Sequence, residues 1–277
     1  MPYVDTHAHL YHEDESRFPM IEEPFRPTPG IGTIAHLRRN MSESDVDRVV
    51  LVQTGSAYRW DNTMMAEAAA ANRSDITGVC TLDPTDPGSP SELTRLAEQF
   101  NVKGLRLEPG RGADPAYNNP HSWRMFETAR DLDVVICAHM HIQLAGELAR
   151  LLERFRDVTV VWDHTGYLNH QDAMDSERVR TVCEMAGHPN LFTKLTFGIT
   201  GSDQQYPFSD THSAIRKVIE AFGPDRCMWG SDFPCEHWLK KTTYQQHLDM
   251  FTEEIGLRAG EQQAVMSDTA RGVWFAR

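Results

Sequence analysis

The 277-residue chain is long enough for a sizeable core, and its 40% hydrophobic and 24% charged residues match an ordinary soluble globular protein. Its formal net charge of −13 repels phosphate backbones and anionic lipid, so neither nucleic acid nor membrane is an expected partner, and no apolar run approaches the roughly 20 residues of a membrane span. Five cysteines without C-x-x-C spacing read as free thiols, and the opening MPYVDTHAHL lacks the basic start and apolar stretch of a secretory signal, so a cytoplasmic protein is expected.

Eight short apolar runs follow in order: Tyr3–Thr6, Arg48–Gln53, Ile76–Leu82, Val102–Leu107, Val134–Ala138, Val158–Trp162, Leu191–Phe197 and Cys227–Gly230. Continuous runs rich in Val, Ile and Leu suit strands buried on both faces of a parallel sheet. Between them lie helix-like stretches. Ala66–Asn72 is alanine-rich, and Ser89-Pro90-Ser91-Glu92 supplies start signals for LTRLAEQF. Leu144–Phe155 carries a leucine stripe at 144, 148, 151 and 152, and Ser209–Phe222 and Thr242–Ile255 repeat the scheme. Eightfold strand–helix alternation predicts an α/β fold, a (β/α)₈ TIM barrel forming one domain over residues 1–277. An open doubly wound sheet is the alternative, but its G-x-G-x-x-G turn is missing.

The connection from Tyr11 to Pro29 is long and contains Pro19, Pro24, Pro27 and Pro29. It follows the C-terminal end of the first strand, so it is expected over the barrel mouth as a lid or wall.

Reactive groups in such barrels sit at the C-terminal strand ends. The first strand ends Asp5-Thr6-His7-Ala8-His9. Residues two apart on a strand share a face, so both imidazoles can enter the mouth and chelate a divalent cation, with Asp5 at the same parity to orient one of them. The fifth strand ends at His139 and His141, the sixth at Asp163-His164, and the eighth at Ser231-Asp232. Arg106 and Glu108 fall near the end of the fourth strand, where Glu108 is expected to pair with an arginine. Arg111 and Arg59 lie in loops facing the mouth, and such guanidinium groups suit an anionic substrate. Tyr58, Trp60 and Tyr167 are candidate ring-stacking walls. Lys194, inside the seventh strand, reads as either a buried ion pair or a substrate contact. No G-x-S-x-G element is present, which favours attack by water over a covalent nucleophile.

The ordered set V-D-T-H-A-H, V-K-G-L-R-L, W-D-H-T-G, F-T-K-L-T and M-W-G-S-D-F-P, spanning positions 4 to 234, resembles the amidohydrolase superfamily. More narrowly it resembles the amidohydrolase-2 group, which holds sugar lactonases, pyrone-dicarboxylate lactonases and metal-dependent decarboxylases. The resemblance implies that His7, His9, His164 and Asp232 are catalytic. It also implies that His7, His9, His139 and Asp232 hold one zinc or manganese ion, with His141 the alternative to His139. Asp232 would take a proton from water, and Arg106, Arg111, Arg59, Tyr167 and Lys194 would meet the substrate. Binuclear members carry a carboxylated lysine at the end of the fourth strand. Here Lys103 sits at its beginning, so one metal or none is expected, the latter with the histidines holding the lactone carbonyl directly. Lactone hydrolysis on a small, anionic substrate is the leading expectation. Decarboxylation of an aromatic or unsaturated acid is the second, and a non-catalytic ligand-binding barrel the third. Homo-oligomers are compatible with all three.

Overall fold

The computed structural model describes residues 1–109, 117–172 and 175–276. Its sheet has eight parallel strands in sequence order: β1 (Tyr3–Ala8), β2 (Val46–Val52), β3 (Ile76–Thr81), β4 (Val102–Leu107), β5 (Val135–Ala138), β6 (Val160–Trp162), β7 (Leu191–Lys194) and β8 (Cys227–Met228). Each pairs with the next. The sequential order is that of a barrel, not of a doubly wound sheet. At the seam, Thr6 N donates to Trp229 O at 3.3 Å and His9 N to Phe233 O at 2.7 Å, so β1 and the end of β8 nearly close the ring.

Helices cover the outside because each carries one apolar stripe. Ala145–Arg154 buries Leu148, Leu151 and Leu152, each burial being worth about 1.5–3 kcal/mol. Helix starts follow local chemistry: Asn119 accepts from the His121 and Ser122 amides, Ser176 from Val179, and Thr243 forms a capping box with Gln246. The barrel interior is filled by Val4, Val50, Val52, Val79, Val135, Cys137, Val161 and Met228, and Trp274 of the helix Thr269–Trp274 packs against them. All five cysteines are free. Among the described residues no helix is long and apolar enough to cross a membrane.

The first strand departs from simple alternation where the site begins. Between Asp5 and Ala8, β1 advances three residues while β2 advances two, from Val49 to Leu51. The extra residue is a bulge, and a bulge re-aims side chains. Val4 packs in the interior, Asp5 turns towards the helix Tyr244–Asp249, and His7 and His9 then turn inward. The expectation that Asp5 orients an imidazole is therefore corrected. Its carboxylate accepts from the His7 amide instead.

Candidate functional site

The strand ends bring His7, His9, His164 and Asp232 together. His7 Nε2 lies 3.2 Å from His9 Nε2, and Asp232 Oδ1 lies 3.6 Å from the first and 3.5 Å from the second. The His164 ring centroid is 4.8 Å from that of His7. Two close backbone approaches make this possible. A Cβ on Gly230 would sit 2.8 Å from His7 Cβ, so only glycine lets the end of β8 reach β1. Gly166, at φ +66°, leaves no room for a Cβ, which would meet Trp162 at 2.6 Å. The turn Asp163–Gly166 is tight, with His164 and Thr165 in the left-handed region. Thr165 Oγ1 ties it down by donating to Lys194 O at 2.8 Å.

A hydrogen bond assigns the proton on His9. His9 Nδ1 lies 2.9 Å from Val52 O, an obligate acceptor, so its proton is on Nδ1 and its Nε2 presents a lone pair. His164 Nδ1 lies 2.7 Å from Thr196 Oγ1, a hydroxyl that can donate to the ring or accept from it. Burial lowers the pKa of His164 to about 3, and burial followed by the Lys194 charge lowers that of His7 well below its usual value. Both are neutral near pH 7. Burial alone would raise the Asp232 carboxyl, but the adjacent His9, with His164 and Arg106, outweighs it and holds the pKa at about 2.

Beneath this rim lies a charged layer inside the barrel. Asp163, fully buried, meets Lys194 Nζ at 3.0 Å and Arg106 Nε at 3.2 Å. Burial works against the Asp163 carboxylate, but the two cations hold its pKa far below the carboxylate range. Of the two readings for Lys194, the buried ion pair is the one present: the side chain is wholly inaccessible, so it has no surface to offer a substrate.

His139 stands apart from the His7–His9–Asp232 group. Its Nδ1 is 3.1 Å from Glu108 Oε1, and its Nε2 contacts the Tyr167 hydroxyl. His141 is exposed and stacks on Tyr167, with centroids 4.5 Å apart. Among the described residues, His7, His9 and Asp232 alone have ligand atoms converging on one point.

A cavity of about 690 Å³ opens above these groups. Arg59, Arg106, Glu108, His139, Tyr167 and Asp232 line it, and the long connection after β1 contributes Ile21, Glu23 and Phe25, as expected of a wall. Phe25 stacks on Trp238, which lies edge-on to His9 with ring centroids 5.7 Å apart. Tyr58 is buried packing that accepts from the His12 amide, and Trp60 does not border the cavity, so Tyr167 is the one expected ring that does. Arg111 lies outside the described residues.

The residues missed from sequence are Asp163, Thr196, Phe25 and Trp238. Asp163 carried a usable signal: it lies two residues beyond Val161, which points into the barrel. The other three lie in loops and short turns, where no strand parity applies.

A barrel with a His-His-Asp rim over an internal ion-pair layer belongs to a recognisable class. The amidohydrolase family profile matches residues 4–276, and the chain belongs to that family. It is 24% identical over 235 residues to a D-galactarolactone isomerase of Agrobacterium fabrum, covering 83% of this chain and 76% of that one. It is 27% identical over 255 residues to a 2-pyrone-4,6-dicarboxylate hydrolase of Comamonas testosteroni, with the same coverage. A Pseudomonas putida structure described as a 2-pyrone-4,6-dicarboxylic acid hydrolase superposes with a TM-score of 0.84 at 19% identity, covering 99% of this chain and 97% of that one. At that identity the likeness establishes the fold.

Proposed function

We propose that this protein is a hydrolase that opens a small anionic lactone with water activated by Asp232, without a resident metal. The observation that carries the reading is the convergence of Asp232, His9 and His164 at the floor of a cavity that also carries Arg59 and Arg106, with His7 packed against them from behind. The two curated relatives, named for a lactone and a pyrone, support the substrate class.

The family implies a divalent metal, and the donor set gives a mixed answer. Separations of 3.2, 3.5 and 3.6 Å match three corners of a tetrahedral site, where bonds of about 2.05 Å put ligands about 3.3 Å apart. A histidine that ligates metal through Nε2, however, gives its Nδ1 proton to an acceptor. The neighbour of His7 Nδ1 is the Lys194 ammonium, 3.4 Å away, which can only donate. His7 does not fit as a ligand, and no step is assigned to a metal.

In the proposed reaction the lactone carbonyl sits against His164, and a carboxylate on the substrate pairs with Arg59 and Arg106. Asp232 holds the attacking water and takes its proton. Negative charge developing on the carbonyl oxygen is met by the His164 imidazole. Collapse breaks the bond between the acyl carbon and the ring oxygen. Protonation of that oxygen gives the hydroxy acid.

The test is a proton NMR assay over sugar lactones, pyrone carboxylates and muconolactones. Ring opening without carbon dioxide release supports the proposal. Carbon dioxide release from an unsaturated or aromatic acid would reassign the site to decarboxylation, and turnover of nothing in either panel would favour a binding role.

A further inference from the structure

We infer that Lys194 is a positioning residue: it fixes His7 in the tautomer with its proton on Nε2, where the proton is given to His9 and leaves His7 unfit as a metal ligand. Two independent contacts require that tautomer. The first is at Nδ1. His7 Nδ1 at 3.4 Å and Cys137 Sγ at 3.9 Å lie within reach of the Lys194 ammonium, which also forms an ion pair with Asp163 Oδ1 at 3.0 Å. An ammonium has three protons and no lone pair, so His7 Nδ1 must present its lone pair. Asp163 does not compete for a proton on that nitrogen. Its Oδ1 is 3.8 Å from His7 Nδ1, beyond hydrogen-bond distance.

The second contact is at the other end of the ring. His7 Nε2 and His9 Nε2 lie 3.2 Å apart, a hydrogen bond only if one of them bears a proton. His9 has its proton on Nδ1, given to Val52 O, so the shared proton belongs to His7. The two imidazoles of the H-x-H pair thus have opposite tautomers, one donor and one acceptor. A cation between them needs both lone pairs. Binding it would put a proton on His7 Nδ1, against the Lys194 ammonium at the floor of the barrel.

The tautomer does not rest on the proposed hydrolysis. Long-range proton–nitrogen correlation spectra of ¹⁵N-histidine-labelled protein, with His7 signals assigned by loss in His7→Gln, read the tautomer without any substrate. The expected spectrum shows His7 protonated on Nε2 and His9 on Nδ1. A His7 ring protonated on Nδ1 would overturn the inference, whatever the lactone panel shows. In Lys194→Met, and in Lys194→Met/Asp163→Asn, where no buried carboxylate is stranded, His7 is expected to move to the Nδ1 tautomer. Zinc titrated into either folded variant should bind at least about tenfold more tightly than into wild type. Unchanged zinc affinity in the folded double variant would also overturn it.

Discussion

Asp5 Oδ2 lies 2.6 Å from Ser231 Oγ, across the seam where the first strand meets the end of the eighth. The same carboxylate accepts from the Ser231 amide at 2.9 Å, the His7 amide at 3.0 Å and the Tyr244 hydroxyl at 3.0 Å. One buried side chain therefore joins the residue that precedes Asp232 to the backbone of His7. Asp232 itself is in the left-handed region, at φ 56°, a conformation that needs such support in a residue other than glycine. Asp5→Asn turns an amide donor towards donors. It is expected to cost about 2–4 kcal/mol in urea unfolding and to lower kcat more than it changes KM. A variant with wild-type kcat would show that the clip does not set the Asp232 geometry.

The Lys194–Asp163 pair is wholly buried. Removing either partner alone leaves an uncompensated charge inside the barrel, with Arg106 the remaining counter-ion if Lys194 is lost. Lys194→Met and Asp163→Asn should each destabilise by about 3–5 kcal/mol, and the double variant by clearly less than their sum. Additive losses in a denaturant double-mutant cycle would contradict the pairing.

His247 gives the fold an acid limit. It is fully buried, and its Nδ1 accepts from the Trp229 indole N–H at 3.1 Å. Burial lowers its pKa from 6.5 to about 4. Between those values the unfolded chain binds more protons than the folded one, so stability is fully present above pH 6.5 and falls on acidification through pH 4. The loss attributable to this residue is about 3 kcal/mol. His247→Gln removes the proton uptake and should flatten stability against pH over that window. Parallel curves for the two proteins would assign the acid limit elsewhere.

The barrel was legible because all eight strands are buried on both faces and therefore read as continuous apolar runs. The strand bounds shifted by a few residues where an apolar run overshot into a turn, as at Leu191–Phe197 against the observed Leu191–Lys194. The rim residues His7, His9, His164 and Asp232 were legible because each terminates such a run. What failed was strict parity along β1: the bulge between Asp5 and Ala8 leaves no mark in residue type, and it sent Asp5 outward. The partners of His139 were equally hidden. Glu108 and Tyr167 reach it from the ends of β4 and β6, and only the closed barrel sets those ends beside β5.

The central claim is that Asp232 activates water for lactone opening without a metal. The direct measurement is the kcat for ring opening by metal-stripped wild type and metal-stripped Asp232→Asn on the best lactone of the panel. Asparagine tolerates the left-handed backbone at this position, so the substitution tests the carboxylate and not the fold. The account predicts that stripped wild type keeps its activity and that the variant loses at least about 1,000-fold. A stripped wild type revived only by added zinc or manganese, or a variant within about tenfold of wild type, would contradict it.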